Sequence, residues 1–360
     1  MGKIYTALGM MSGTSGDGVD ASIVKSDGQN ECNVLLNKLY KYPVNISEKI
    51  HNLKKKILNE TDLNKFSDEI FELEKIITNH HIDAAKDIKK KLDFDMIGFH
   101  GQTLLHIPEK KISKQIGEGN ILSLELKKTV IHKFRDNDLI NGGEGAPLAP
   151  IFHKLLINKN KINLPVTILN IGGISNITTI DQDGEISASD IGPGNCLIDK
   201  WIRISSNNNF DKDGLIARSG KIDKQICSQQ LEDFYNSSIS KKKSFDTNDF
   251  WFTSSIRGLS IENGAATLNE ITSEILSNKL KNKNIYVSGG GRKNLFLIET
   301  IEKKIGKKIK SFDDLGVNGD FIESQAFAYL AIRSFLKFPI TFPRTTGCSK
   351  PSTGGVIVNF

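Results

Sequence analysis

Hydrophobic positions along the chain fall into short apolar runs separated by longer amphipathic stretches. Ile4 to Met10 is apolar, Ser12 to Gly18 has turn chemistry, and Ala21 to Val24 is apolar again, which predicts strand, tight turn, strand. In 61–91, Ile70, Leu73 and Ile77 fall at i, i+3 and i+7 among acids and lysines, which predicts a long amphipathic helix. Phe94 to Phe99 then reads as a buried strand ending at His100-Gly101. The scheme repeats further on. Val166 to Leu169 and Ile177 to Ile180 read as strands around the Asn170–Asn176 turn. Residues 262–280 read as a helix with Leu268, Ile271 and Ile275 on one face, Asn284 to Val287 as a strand, and Ile322 to Leu336 as a helix. Alternating strands and helices predict an α/β fold. Similar hairpins near residues 4 and 166 point to two related halves.

A length of 360 residues suits two domains. We place the first at 1–155 plus 322–360 and the second at 156–321. With 38% hydrophobic and 25% charged residues, each can fill a core. The net charge of +6 is a mild excess. Lysine runs at 54–56, 89–91 and 241–243 carry no interleaved aromatics, so they read as solvated faces rather than nucleic-acid or membrane surfaces. The four cysteines include no CxxC spacing, which predicts free thiols in a reducing compartment. No apolar run is long enough to span a bilayer, and the first residues lack a signal-peptide layout. These features predict a cytoplasmic protein without a nucleic-acid or membrane partner.

The turns hold the candidate chemistry. Ser12-Gly13-Thr14-Ser15-Gly16-Asp17-Gly18 packs glycines, hydroxyls and a carboxylate between two strands. Glycine backbone lets N–H groups approach phosphate, and a carboxylate beside them can hold Mg²⁺ through water, a role for Asp17. The same logic applies to Asn170–Asn176, with Gly172, Gly173, Ser175 and Asn176, and to Ser288–Asn294, with Gly289, Gly290, Gly291 and Asn294. No P-loop and no Rossmann fingerprint is present. Two hairpins facing one another with a nucleotide between them suit an ATPase domain of the actin, hexokinase and Hsp70 type. Asp190 precedes Gly192-Pro193-Gly194 at a strand end, where it is either a general base or a turn-closing residue. Glu323, at the start of the last long helix, is either functional or a helix-start acid. His100, Gln102, Thr103, Arg135, Asp138, Gly142 and Gly143 are candidate substrate-binding residues. Arg135 could fork onto a carboxylate, and His100 could equally be a satisfied core histidine.

Taken in order, these segments resemble the anhydro-N-acetylmuramic acid kinases. They are the G-x-M-S-G-T-S-x-D-G-x-D segment from Gly9 to Asp20, H-G-Q-T from His100, F-R-x-x-D from Phe134, and G-G-x-G-A-P-L from Gly142. There follow N-I-G-G-I-x-N from Asn170, D-x-G-P-G-N from Asp190, D-K-D-G from Asp211, G-G-G-x-x-N from Gly289, E-x-x-A-F-A from Glu323 and T-G-x-S-x-P from Thr346. The resemblance implies a two-domain actin/hexokinase-like (ribonuclease H-like) fold with an interdomain cleft. It implies ATP- and Mg²⁺-dependent conversion of 1,6-anhydro-N-acetylmuramic acid into N-acetylmuramic acid 6-phosphate during peptidoglycan recycling, by a homodimer. The family's catalytic aspartate falls on Asp190 and its acidic partner on Glu323. Its nucleotide loop falls on Gly13 to Asp20 and includes Val19.

The chain departs from the family pattern in places. Gly16 replaces a larger apolar residue, Glu144 a glutamine, and Ile191 a threonine beside Asp190, removing a possible hydrogen bond near the base. The P-P-K-S-T-G-R-E type segment is blurred over Lys242–Asp249. Two other readings are a kinase of another amino sugar and a non-catalytic nucleotide-binding regulator on the same fold. The presence of both Asp190 and Glu323 argues against the regulator.

Overall fold

The structure, a computed structural model, describes residues 2–13, 15–241, 245–282 and 284–360. Thr14, a candidate nucleotide contact, and Lys242, Lys243 and Ser244 of the blurred segment lie outside the described residues. The chain divides into two compact units, Met1–Ile162 with Phe321–Phe360, and Asn163–Asp320.

In chain order, the first unit contributes strands β1 (Tyr5–Ser12), β2 (Gly18–Ser26), β3 (Cys32–Lys41), β4 (Met96–Ile107), β5 (Ile112–Ile116) and β6 (Thr129–His132). The second contributes β7 (Val166–Ile171), β8 (Ile174–Ile180), β9 (Ile186–Pro193), β10 (Asn284–Ser288) and β11 (Lys310–Ser311). The C-terminal return adds β12 (Val356–Val358) to the first unit. The first sheet runs β12-β6-β4-β1-β2-β3, with β5 paired to β4, and the second runs β11-β10-β7-β8-β9. In the first, β1, β2 and β3 form an antiparallel meander, and β4 and β6 continue parallel on the other side of β1. In the second, β7, β8 and β9 form the meander, and β10 and β11 continue parallel. The two halves therefore share one topology, with the first strand central and helical crossovers before the parallel strands. This duplicated α/β arrangement is the one the actin/hexokinase-type resemblance implies.

Apolar residues of the strands fill the cores. Leu8, Met10, Val19, Ile23, Ile97 and Phe99 pack with Ile50, Leu73, Ile77 and Ile88 from the crossover helices. In the second unit Leu169, Ile171, Ile191 and Val287 pack with Leu297 and Ile301. A separate cluster joins Trp201, Leu268, Ile271 and Phe250.

Several elements differ from the sequence reading. The helix expected over 61–91 is two helices, Glu60–Lys65 and Ser67–Lys89, broken at Phe66, and the first is started by an Asn59–Asp62 capping box. β4 does not stop at His100-Gly101 but runs on to Ile107, because β5 continues its pairing. The sequence reading missed β3, whose lysines and asparagines suit its place at the sheet edge. All four cysteines are free, and burial pushes their thiols up, to about 11 for Cys32 and Cys227 and about 12 for Cys196. Among the described residues no helix is long and apolar enough to cross a membrane.

Candidate active site

The turn between β1 and β2 is built by short local bonds. The Gly16 N–H donates to the Gly13 carbonyl at 3.0 Å, and Gly16 takes a φ of +59°. A glycine therefore meets the backbone demand where the family pattern has a larger residue. Gly18 is constrained by space, since a Cβ there would lie 2.6 Å from the Tyr40 carbonyl oxygen. Ser15 and Asp17 are exposed, and the Ser15 hydroxyl donates to Asp17 Oδ1 at 2.6 Å. Val19 is buried in the core rather than open to a ligand, and Asp20 is half-buried on β2 opposite Met11. At the start of the turn, the buried Ser12 hydroxyl donates to Gln102 Oε1 at 2.6 Å. This bond joins the first glycine turn to the H-G-Q-T segment. Thr103 accepts from Gln115 at 3.3 Å.

His100, Arg135 and Asp138 form a second group in the same unit. Arg135 donates to His100 Nε2 at 3.0 Å and to the Gly145 carbonyl at 2.7 Å. An arginine only donates, so His100 Nε2 accepts and the proton sits on Nδ1, which donates to the Gly101 carbonyl at 3.1 Å. Burial and the adjacent guanidinium hold His100 well below the usual imidazole range, so it is neutral at pH 7. Its role here is to orient Arg135. Asp138 is buried, and its two oxygens accept from the Gly145 N–H and the Thr346 hydroxyl, each at 2.7 Å. It braces the glycine loop. Gly142 is exposed there, whereas Gly143 is packed against Asp138.

Glu323 stands in the first turn of the helix Ile322–Phe335. That helix lies directly on β1 and β4, because a Cβ at Gly9 would meet the Ser324 carbonyl oxygen and one at Gly98 would meet that of Phe327. The Ser22 and Ser324 hydroxyls lie 2.7 Å apart and tie the same helix to β2. Glu323 keeps solvent access, yet the protein packed around it raises its carboxyl above the ordinary glutamate range, with Arg135 pulling the other way.

In the second unit three glycine segments meet. The N–H groups of Gly194 and Asn195 donate to the carbonyls of Gly173 and Gly172, each at 2.8 Å. A Cβ at Gly194 would strike the Gly172 carbonyl. The Gly172 N–H is already bonded to the Ile174 carbonyl at 3.1 Å, and the Ser175 hydroxyl donates to the Pro193 carbonyl at 3.2 Å. Gly289, at φ +79°, comes against Asn170 and Ile171, and Gly291 against Ile171 and Asn195. Gly290 has open space around it, and Asn294 caps the helix Leu295–Ile305. The loops Asn170–Asn176, Asp190–Asn195 and Ser288–Asn294 thus form one surface.

Asp190 is half-buried on β9, paired in register with Asn176 of β8, and its Oδ2 accepts the Phe245 backbone N–H at 2.9 Å. Ile191 is the unpaired residue of a bulge in β9, and it packs into the core with Leu169 and Ile171.

Sequence reasoning missed the Phe245 donor, because a backbone N–H has no residue signature. It also missed Arg292. That side chain donates to Asp313 at 2.7 Å, to Asp320 at 2.6 Å and to the Gly289 carbonyl at 3.2 Å, clamping the third glycine loop to Asp313 and Asp320. An arginine directly after three glycines was the available signal. Among the described residues no group of three or more His, Cys, Asp or Glu could hold a metal. The Ser15–Asp17 pair offers only oxygen donors, which suits a hard cation such as Mg²⁺ shared with phosphates.

A model of the family "Anhydro-N-acetylmuramic acid kinase" matches residues 5–359. An anhydro-N-acetylmuramic acid kinase of Pelagibacter ubique is 50% identical over 99% of this chain and 99% of its own. One of Zymomonas mobilis is 36% identical over 98% of this chain and 99% of its own. Among solved structures, gluconate kinase from Lactobacillus acidophilus gives a TM-score of 0.44 at 12% identity, over 93% of this chain and 90% of that one.

Proposed function

The chain belongs to the anhydro-N-acetylmuramic acid kinase family, and from that premise we propose the reaction it runs and the residues that run it. It opens 1,6-anhydro-N-acetylmuramic acid with water and phosphorylates O6 from ATP, giving N-acetylmuramic acid 6-phosphate and ADP in cell-wall recycling. The anhydro sugar has no free 6-hydroxyl, because O6 bridges to C1. Asp190 takes a proton from water, and the water oxygen bonds to C1 from the face opposite the bridge. The C1–O6 bond breaks, and O6 takes the γ-phosphoryl group as the bond to ADP breaks. In an inverting glycosidase a general acid protonates the leaving oxygen; here the phosphoryl group replaces that proton. Glu323 is the second acid of the site.

The observation that carries this reading is the setting of Asp190. Its carboxylate sits beside a loop packed on glycine backbone and accepts a backbone N–H. Phosphoryl transfer is mostly positioning and charge neutralisation. Backbone around Gly13–Gly18 and the glycines Gly172, Gly173 and Gly289–Gly291 are the parts proposed to approach ATP. Mg²⁺, held through Asp17, would neutralise phosphate charge when bound. Arg135, oriented by His100, is the proposed partner of the sugar's carboxylate. A homodimer and a cytoplasmic location belong to the same reading, on the strength of the family resemblance.

The test is ADP release with the anhydro sugar against plain N-acetylmuramic acid, with product mass recorded. Turnover on the anhydro sugar alone, with one water and one phosphate added, is the expected result. Turnover on the plain sugar instead would make it a hydroxyl kinase. ATP binding without turnover on either would make it a regulator.

A further inference from the structure

We propose that the turn Phe245–Phe250 is a positioning element for the base, and that the backbone N–H of Phe245 sets the orientation and acidity of Asp190. This rests on the reading of Asp190 as the base. Three observations converge on the turn. Its first N–H donates to Asp190 Oδ2 at 2.9 Å. The Thr247 methyl lies 3.3 Å from where a Cβ on Gly173 would be, so the turn also touches the loop beside the base. The turn is anchored from behind: the Phe245 ring packs on Phe250 at 5.2 Å, and Phe250 stacks on Phe234 at 6.0 Å, inside a hydrophobic cluster. Asp249 closes the turn by accepting the Asp246 N–H at 2.8 Å.

The element is therefore anchored in the hydrophobic cluster where it meets Asp190. A fixed N–H aimed at a carboxylate favours the ionised form, which is the form a general base needs, and it holds the carboxylate plane against rotation. This segment is the one in which the family pattern is blurred. A main-chain donor needs no particular side chain at 245, so the pattern can drift there while the function stays. Among the described residues the ionisable neighbours on the turn are Asp246 and Asp249, while the facing residue of β8, Asn176, carries no charge. Both acids stay in every variant below, so their effect on Asp190 is common to all.

Phe245→Pro removes the donor, and Phe245→Leu keeps it with a similar apolar side chain. The pH profile of kcat/KM on the anhydro sugar should have an acidic limb about one unit higher in Phe245→Pro and unmoved in Phe245→Leu. A limb unmoved in both would overturn the proposal. A second measurement covers misfolding of the proline variant. In whole protein labelled with ¹⁵N-phenylalanine, the resonance missing from Phe245→Leu identifies the Phe245 amide. That resonance should titrate with the midpoint of the acidic limb and lose this titration in Asp190→Asn. An amide flat across the limb would sink the idea. Asp190→Asn turnover near the wild-type rate would instead sink the reading of Asp190 as base.

Discussion

Asp190 and Glu323 are two carboxyls set in opposite ways. Asp190 lies on a strand and accepts a backbone N–H from a turn anchored in its own unit. Glu323 lies in the first turn of a helix pressed against glycine backbone, where the surrounding protein favours its protonated form and Arg135 opposes this. The difference shows that two motif acids of similar appearance are distinguished by the groups that touch them. Asp190 accepts a main-chain N–H, whereas the protein around Glu323 raises its carboxyl.

The largest effect should come from Asp190→Asn, which is expected to lose ring opening and phosphorylation together by about 10²–10⁴-fold, read as ADP release and sugar mass. If ring opening survived while phosphorylation failed, a single base would not serve both events. Glu323→Gln should lower turnover at the small end of that range, about 10²-fold. It should also change stability with pH. The folded carboxyl is raised, so its stabilising contribution is complete below the ordinary glutamate value, about pH 4.3, and is lost as pH rises through the folded value. The melting temperature of Glu323→Gln relative to wild type should therefore climb as pH rises above about 4. A flat difference would mean that this carboxyl is not raised.

Gly98→Ala forces a methyl against the Phe327 carbonyl and should destabilise the first unit by about 1–3 kcal/mol, read in a denaturant midpoint. Gly290→Ala, with open space around it, should not. Ser12→Ala should cost about 1 kcal/mol, less than Gly98→Ala, because Gln102 Oε1 is left buried without its donor.

Much of this was legible in the sequence. Both hairpins and the helices at 261–277 and 322–335 lie where periodicity placed them, because apolar alternation and the i, i+3, i+4 pattern are local signals. The glycine turns were legible as turns, but their partners were not. That Asp138 braces a loop through Gly145 and Thr346, and that His100 is a neutral support for Arg135, depends on residues brought from far along the chain. Asn294 caps the helix Leu295–Ile305 through the Leu297 N–H, a partner that the glycine-loop pattern did not reveal. The Phe245 N–H could not be read at all, because main-chain donors are common to nearly every residue.

The cysteines have a practical consequence. Cys32, Cys227 and Cys348 are buried, and Cys196, though partly accessible, has its thiol pushed up to about 12. Thiolates are what alkylating dyes attack, so the native chain should stay dark to maleimide at neutral pH. A single cysteine at Gly290, where nothing lies within 4 Å, would then take a fluorophore alone. If the native thiols stay unlabelled, the chain becomes a scaffold for a one-site optical reporter on its third glycine loop.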